Sequence, residues 1–439
     1  MSGIEVGLGS IIAIVVLIYA GLYVPVALGL VSFVAVWYLR GSTDAPVYLV
    51  TLAASNSLED YVFGVIPLFV LMGLLVSHSD MGRDIFSVAH RLLFKVRGGL
   101  GVATVAANAA FAAITGVSIA SASVFARIAV PEMVRFGYQP RFAVGVVAGS
   151  SVLGMLIPPS VILIVYAIIT EQSVAALFKA GIVPGIILSL AYIVAIILTA
   201  HLIPQYVTAD ANRGANDGTS EKLSPGAAIR KTAPLIVLVL LVLGGIYGGV
   251  FTPTEAGAVG ALGALVIAAA KRKLDRGILW NVLVETGHIV ASILMLIVAA
   301  TMYSRMLGVS GLPNELGEWV SGSGIGLHGI IAIYVAVLVA LGTLVDTTSI
   351  ILIMVPLFLP VLAPYEVDLV WFGIITIVGA EIGLLTPPLG ISCYVIKSTL
   401  TDETIGLKDI FLGAFPFAVI MLLVLVLLIA YPQLSLVLL

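Results

Sequence analysis

The sequence predicts an all-α polytopic membrane protein made of two inverted-topology repeats, each of about five crossings plus one re-entrant helical hairpin. Three observations predict it. Of the 439 residues, 61% are hydrophobic and only 10% charged, against roughly 25% charged residues in a soluble domain. So few charges cannot coat a soluble fold of this size, so most of the chain faces lipid or neighbouring membrane helices. Apolar segments of crossing length recur along the whole chain. The two halves also carry matching strings. A cytosolic enzyme, a secreted domain and a disordered scaffold are thereby excluded.

The elements follow in chain order. A helix needs about 20 apolar residues to cross the hydrocarbon core. Residues 7–39 are apolar and broken by Pro25, giving two short crossings; 61–77 form a third. The stretch 78–97 is amphipathic and reads as a connector lying on the membrane surface. Residues 98–126 are rich in Ala, Ser and Gly, 142–170 are interrupted by Pro158-Pro159, and 180–204 make another crossing. The polar stretch 205–232 reads as a linker. It separates a first repeat, 1–204, from a second, 233–439. The second repeat runs through 233–251, 254–270, 283–303, a connector at 304–328, and 329–363 with Pro356 and Pro360. It closes with 369–400, broken at Pro387-Pro388, and 409–437.

Charges orient these elements. His90, Arg91, Lys95 and Arg97 precede the 98–126 stretch, and Arg127, Arg135 and Arg141 follow it. Both ends then face the cytoplasm by the positive-inside rule, which makes the segment a hairpin. The linker (Arg213, Lys222, Arg230, Lys231) and the run KRKLDR at 271–276 fall on the same side. Glu315, Glu318, Glu366 and Asp368 flank 329–363, which is expected to enter from outside. Both termini are expected outside. Residues 1–6 hold Glu5 and no Lys or Arg, so the positive start of a cleavable signal is missing, and no lipidation motif is present. With Lys+Arg 20 against Asp+Glu 23, the formal charge of −3 offers no basic excess for nucleic acid, and the one cysteine, Cys393, excludes a disulfide framework.

The halves align through three anchors. IYAGLYVPVALG at 18–29 matches IYGGVFTPTEAG at 246–257, GVSIASAS at 116–123 falls opposite GTLVDTTS at 342–349, and GMLIPP at 154–159 matches GLLTPP at 383–388. An odd number of crossings per half inverts the copies across the membrane. Inverted repeats with interrupted helices at matching positions point to a secondary transporter whose site sits near the midplane.

The breaks carry the chemistry. Unwound backbone at membrane depth is tolerated only where protein buries it or it lines a cavity. Paired prolines free the carbonyls of the preceding turn. Free carbonyls and hydroxyls are the oxygen ligands that a hard cation such as Na⁺ takes. Ser118, Ser121 and Ser123 at the first tip, with Ser150, Ser151 and Gly154 at the first break, form one candidate site. Gly342, Asp346, Thr347 and Thr348, with Gly383 and Thr386, form a second. Cations are assigned to Ser118, Ser150, Ser151, Gly154, Gly342, Asp346, Thr347, Gly383 and Thr386. Substrate is assigned to Ser121, Ser123, Arg127, Pro158, Pro159, Thr348, Pro387 and Pro388. Each assignment has a plainer counterpart. A membrane Ser or Thr commonly hydrogen-bonds the carbonyl one turn back. Asp346 is either a functional intramembrane carboxylate or a helix cap. Glu255 and Glu381 either act at the breaks or only cap and brace helices. Arg127 and Arg305 are read as snorkelling to the interface. The sequence has no HExxH, GxSxG or GxGD signature and no Walker motif, and its histidines fall near expected span ends, so no enzyme is predicted.

The sequence resembles the large membrane subunit of TRAP (tripartite ATP-independent periplasmic) transporters, the DctM/SiaM family. The strings that carry the resemblance are TGVSIASASVFARIAVPEMVRFGY at 115–138, SSVLGMLIPPSVILIVYAI at 150–168 and SVAALFKAGIVPG at 173–185. In the second half they are GGIYGGVFTPTEAGAV at 244–259, LGTLVDTTSIILIMVP at 341–356 and GAEIGLLTPPLGISCYV at 379–395. The resemblance implies an ion-transporter-like elevator fold in a bacterial or archaeal inner membrane. It implies import of a small organic acid, driven by two or more Na⁺ ions and delivered by a periplasmic substrate-binding protein. A small four-helix membrane subunit is implied as a separate partner chain. The family's Na⁺ ligands would fall on Ser118 and Ser150 or Ser151 in one half, and on Asp346 and Thr386 in the other. Arg127 departs from the family, which more often has a small residue there; it either helps neutralise an anionic substrate or faces the cytoplasm. The alternative is a self-sufficient Na⁺- or H⁺-coupled carboxylate transporter or antiporter of related fold.

Overall fold

The computed structural model describes residues 2–59, 61–93, 95–208, 224–322 and 324–439. Most of the polar linker, including Arg213 and Lys222, lies outside the described residues. The first half runs through α1 (Gly3–Tyr19), α2 (Val24–Arg40), α3 (Asp44–Glu59), α4 (Val65–His78) and α5 (Met81–Leu93). It continues with α6 (Gly99–Thr115), α7 (Ser118–Arg135), α8 (Pro140–Ser151), α9 (Leu153–Leu156), α10 (Val161–Thr170), α11 (Val174–Leu202) and α12 (Pro204–Val207). The second half runs through α13 (Pro225–Tyr247), α14 (Pro253–Ala270), α15 (Arg276–Ser310), α16 (Leu312–Gly322) and α17 (Leu327–Gly342). It ends with α18 (Thr347–Leu362), α19 (Leu369–Leu384), α20 (Ile391–Thr399), α21 (Leu407–Ala430) and α22 (Gln433–Leu436).

Local chemistry sets the boundaries. In the string IYAGLYVP the chain turns at Gly21 (φ 93°), and Pro25 enters the first turn of α2, where its missing N–H costs nothing. In IYGGVFTPTEAG the turn falls at Gly249 (φ 69°), followed by a capping box: Thr252 Oγ1 accepts from the Glu255 amide and the Glu255 carboxylate accepts from the Thr252 amide. The PTEA string is thus a helix start, and Glu255 caps it. A second capping box, Ser2 with Glu5, begins α1.

Six helices are long and apolar enough to cross a membrane unaided among the described residues: α11, α13, α14, α15, α18 with its extension to Tyr365, and α21. Two bent pairs pass the same test together, α4 with α5 (61°) and α8–α9 with α10 (41°). Three details depart from the sequence reading. Helix α13 begins at Pro225, capped by Ser224, inside the stretch 205–232 read as linker. The helix α3 is absent from it, because Asp44, Ser55, Asn56 and Glu59 dilute its hydropathy; α3 nevertheless packs on α2 and α15. The second arm of the first hairpin runs on to Arg135, since one proline, Pro131, does not stop it.

Two groups of helices emerge from the packing. In one, α15 packs on α1, α2, α3 and α4, and α14 on α4 and α13. In the other, α6–α11 pack with α17–α21, and α19 is buried along nearly its whole length. Close approach of α8 to α21 uses paired glycines: a Cβ on Gly145 would sit 2.2 Å from the Gly413 carbonyl oxygen. The short amphipathic α5 and α16 join the groups. Asp84 on α5 pairs with Lys271 and, at 3.8 Å, with Lys231, and Asp80 just before α5 pairs with Lys273 at 2.7 Å.

Candidate functional site

Each hairpin tip closes onto a broken helix. The first tip turns at Gly116 (φ 63°), where a side chain would strike the Pro159 carbonyl oxygen at 2.5 Å. The Gly116 carbonyl accepts from the Val161 amide at 3.3 Å, across the break between α9 and α10. The second tip does the same thing: the Thr343 carbonyl accepts from the Leu389 amide at 3.0 Å, across the break between α19 and α20. Glycines permit both contacts. A Cβ on Gly383 would lie 2.4 Å from the Gly342 Cα, and one on Gly154 would lie 3.1 Å from the Val117 carbonyl carbon. Both Pro-Pro bonds, 158-159 and 387-388, are cis. They differ in setting, however. Pro158 and Pro159 are buried, whereas Pro387 and Pro388 are exposed, and Pro388 borders an apolar groove against α1 rather than the space between the tips.

A cavity of about 340 Å³ lies between the tips and α15. Val117 and Ile119 line it from the first tip, Asp346, Thr347 and Thr348 from the second, Met155, Val161 and Leu384 from the broken helices, and His288 and Ser292 from α15. Thr348, a sequence candidate for substrate, is among these lining residues. His288 lies well inside the 35-residue α15, not at a span end.

Beside this cavity sits a buried polar cluster. Thr347 Oγ1 donates to Glu381 Oε1 at 2.8 Å, so the second tip is tied to the middle of α19. Glu381 Oε2 has no hydrogen-bond partner and the residue is 1% exposed. Asn108 of α6 donates to Ser150 Oγ at 2.7 Å, leaving Asn108 Oδ1 without a partner. The hydroxyls of Ser118 and Ser121 are buried and also lack partners. Buried polar atoms are ordinarily satisfied, and the two orphan hydroxyls of Ser118 and Ser121 on the first tip are oxygen donors of the kind a hard cation takes.

The remaining candidates divide. Ser151 Oγ donates to the Ala148 carbonyl at 2.8 Å, Ser150 Oγ to Val147 at 3.4 Å, and Thr386 Oγ1 to Gly383 at 3.0 Å. These three follow the back-bonding pattern of helical hydroxyls. Asp346 is the N-cap of α18: its carboxylate accepts from the Ser349 amide at 3.0 Å and from the Ser349 hydroxyl. Ser123 accepts from Thr399 at 3.4 Å, which ties α7 to α20. Arg127 is exposed on α7 and does not line the cavity between the tips. Sequence reasoning passed over Asn108 and placed His288 near a span end. Their signal was a single polar side chain inside an apolar run, the feature that marks functional positions in membrane helices.

Comparison with known proteins gives a consistent picture. Residues 11–434 match the family described as the tripartite ATP-independent periplasmic transporter, DctM component. The C4-dicarboxylate TRAP transporter large permease protein DctM of Pseudomonas aeruginosa is 33% identical over 381 residues, 86% of each chain. The protein of the same name from Rhodobacter capsulatus is 32% identical over 441 residues, covering 96% of each. Among solved structures, the YdaH transporter of Alcanivorax borkumensis superposes with a TM-score of 0.59 at 17% identity, over 89% of this chain and 90% of that one. That likeness is one of fold.

Proposed function

The chain belongs to the DctM family of tripartite ATP-independent periplasmic transporters, and from that premise we propose that it is the large permease subunit of a Na⁺-coupled importer of a small organic acid. It works in a bacterial or archaeal inner membrane, beside a small four-helix membrane subunit, and receives its substrate from a periplasmic binding protein. C4-dicarboxylates are the first acids to try, because both relatives above carry that name. The observation that carries the reading is the pair of hairpin tips closing on paired helix breaks around one cavity, with uncommitted hydroxyls of Ser118 and Ser121 in the first turn after the first tip.

In this reading Na⁺ is cargo, held at the first tip by Ser118, Ser121 and Asn108 and at the second by Asp346 and Thr347. Bound cations offset the charge of an incoming carboxylate, so ion and substrate bind better together than apart. The Thr347–Glu381 bond and the Gly342–Gly383 contact keep tip and broken helix together as one body. The group α6–α11 with α17–α21 then travels as an elevator against the group built on α15, with α5 and α16 as its arms and the two halves as inverted repeats. The matching order of tips and breaks in the two halves supports the repeat part of this reading.

The test is uptake of labelled succinate by proteoliposomes holding this chain and its small subunit, with an inward Na⁺ gradient, with and without the binding protein. Uptake that needs both Na⁺ and the binding protein is expected. Uptake indifferent to the binding protein would instead identify a self-sufficient carrier.

A further inference from the structure

A separate cavity of about 450 Å³ lies between α15 and α3 on one side and α10 and α18 on the other. Thr301, Ser304 and Arg305 of α15 and Asn56 of α3 line one wall. The opposite wall includes Glu171, at the end of α10, and Pro356 of α18. The cavity therefore spans the two helix groups, as the cavity between the tips does, but shares none of that cavity's lining residues.

Arg305 is half-buried near the end of α15. Its Nη1 is buried and makes no hydrogen bond. Its Nη2 donates to the Asn56 side-chain oxygen at 3.0 Å, with the amide oriented so that its nitrogen donates to the Leu52 carbonyl at 3.2 Å. A guanidinium is always charged, has five donors and no acceptor, and its planar fork matches a carboxylate. Burying one donor arm of such a group without a partner is costly unless an anion visits it. Arg305 also borders a second cavity of about 610 Å³, which Arg40 and Tyr48 line with it. Glu171, on the far wall, confines an anion to the Arg305 side.

We propose that Arg305, with Asn56 holding its fork, is the carboxylate receptor of an entry site, where the organic anion docks before it reaches the cavity between the tips. The inference rests on the permease reading for the identity of the anion. Ser304 gives the reporter. In a background where the buried Cys393 is replaced by Ala, Ser304→Cys in the full chain in nanodiscs is reacted with an anionic and a cationic methanethiosulfonate. The anionic reagent is expected to react about tenfold faster, the order of one partly screened charge contact. Arg305→Gln should abolish that preference, Arg305→Lys should restore it, and Glu171→Gln should enlarge it. Succinate should slow the anionic reaction when Arg305 is present and not in Arg305→Gln. Equal preference with and without Arg305, or no protection by succinate, overturns the proposal. The readout needs neither Na⁺ nor turnover, so it stands or falls separately from the uptake experiment.

Discussion

Adding one methyl group at Gly383 tests whether the second tip must seat on its broken helix. The new Cβ would lie 2.4 Å from Gly342 Cα and 2.5 Å from its carbonyl carbon, while ordinary contact begins at 3.4 Å. Backbone cannot swing aside as a long side chain does, so tip and helix must part by about 1 Å, the difference between 3.4 and 2.4 Å. Overpacking of that kind costs about 1–3 kcal/mol. A 1 Å misplacement in a site that must hold its ligands in register costs on the order of a hundredfold in rate. The companion substitutions should be graded. Gly342→Ala meets its nearest atoms at 2.9 Å and Gly154→Ala at 3.1 Å, whereas Gly244→Ala meets nothing within 4 Å. Na⁺-driven uptake should therefore fall in the order Gly383, Gly342, Gly154, with Gly244→Ala like wild type. Thermal unfolding in detergent should follow the same order. Wild-type uptake by Gly383→Ala would refute the close-seating argument.

Three further perturbations separate structural from functional roles. Asn caps a helix about as well as Asp, so Asp346→Asn should leave thermal stability within about 0.5 kcal/mol of wild type while Na⁺-dependent uptake is lost; normal uptake would leave Asp346 as a cap alone. Asp84→Asn strands Lys271 and Lys231 and should cost about 1–2 kcal/mol, read by thermal unfolding; no change would mean that α5 is held by apolar packing alone. Cysteines replacing Arg97 and Arg135, at the feet of the first hairpin, should both react with an impermeant reagent from the same side of the membrane. Reaction from opposite sides would make that segment a crossing and end the inverted-repeat reading.

Punctuation made much of this protein legible in its sequence. Gly116, Gly342 and the two Pro-Pro pairs mark the tips and breaks because only those residues fit a positive φ, a backbone contact or a missing donor. Helix α3 was not legible, since its polar residues resemble those of a loop until α2 and α15 cover the apolar side. The state of each hydroxyl was not legible either. Ser118 and Ser151 look alike in sequence, yet one is orphaned and the other bonds back, because only the fold decides which serines find a carbonyl. Glu381 was weighed as a brace. It is one, through Thr347, and its second oxygen is left over. Arg305 was read only as an interfacial cation, since the sequence does not show Asn56 of α3 beside it.

The central claim is that the orphan hydroxyls at the first tip hold Na⁺, and ion-dependent stability measures it most directly. A ligand that binds only the folded protein adds about 2.7 kcal/mol at a hundred times its dissociation constant. Thermal unfolding of the purified chain, titrated with NaCl against choline chloride, should show a rise specific to Na⁺ in wild type. It should shrink when Ser118 and Ser121 are both replaced by Ala, leaving only the part owed to Asp346 and Thr347. An equal Na⁺-specific rise in that double variant would contradict the account.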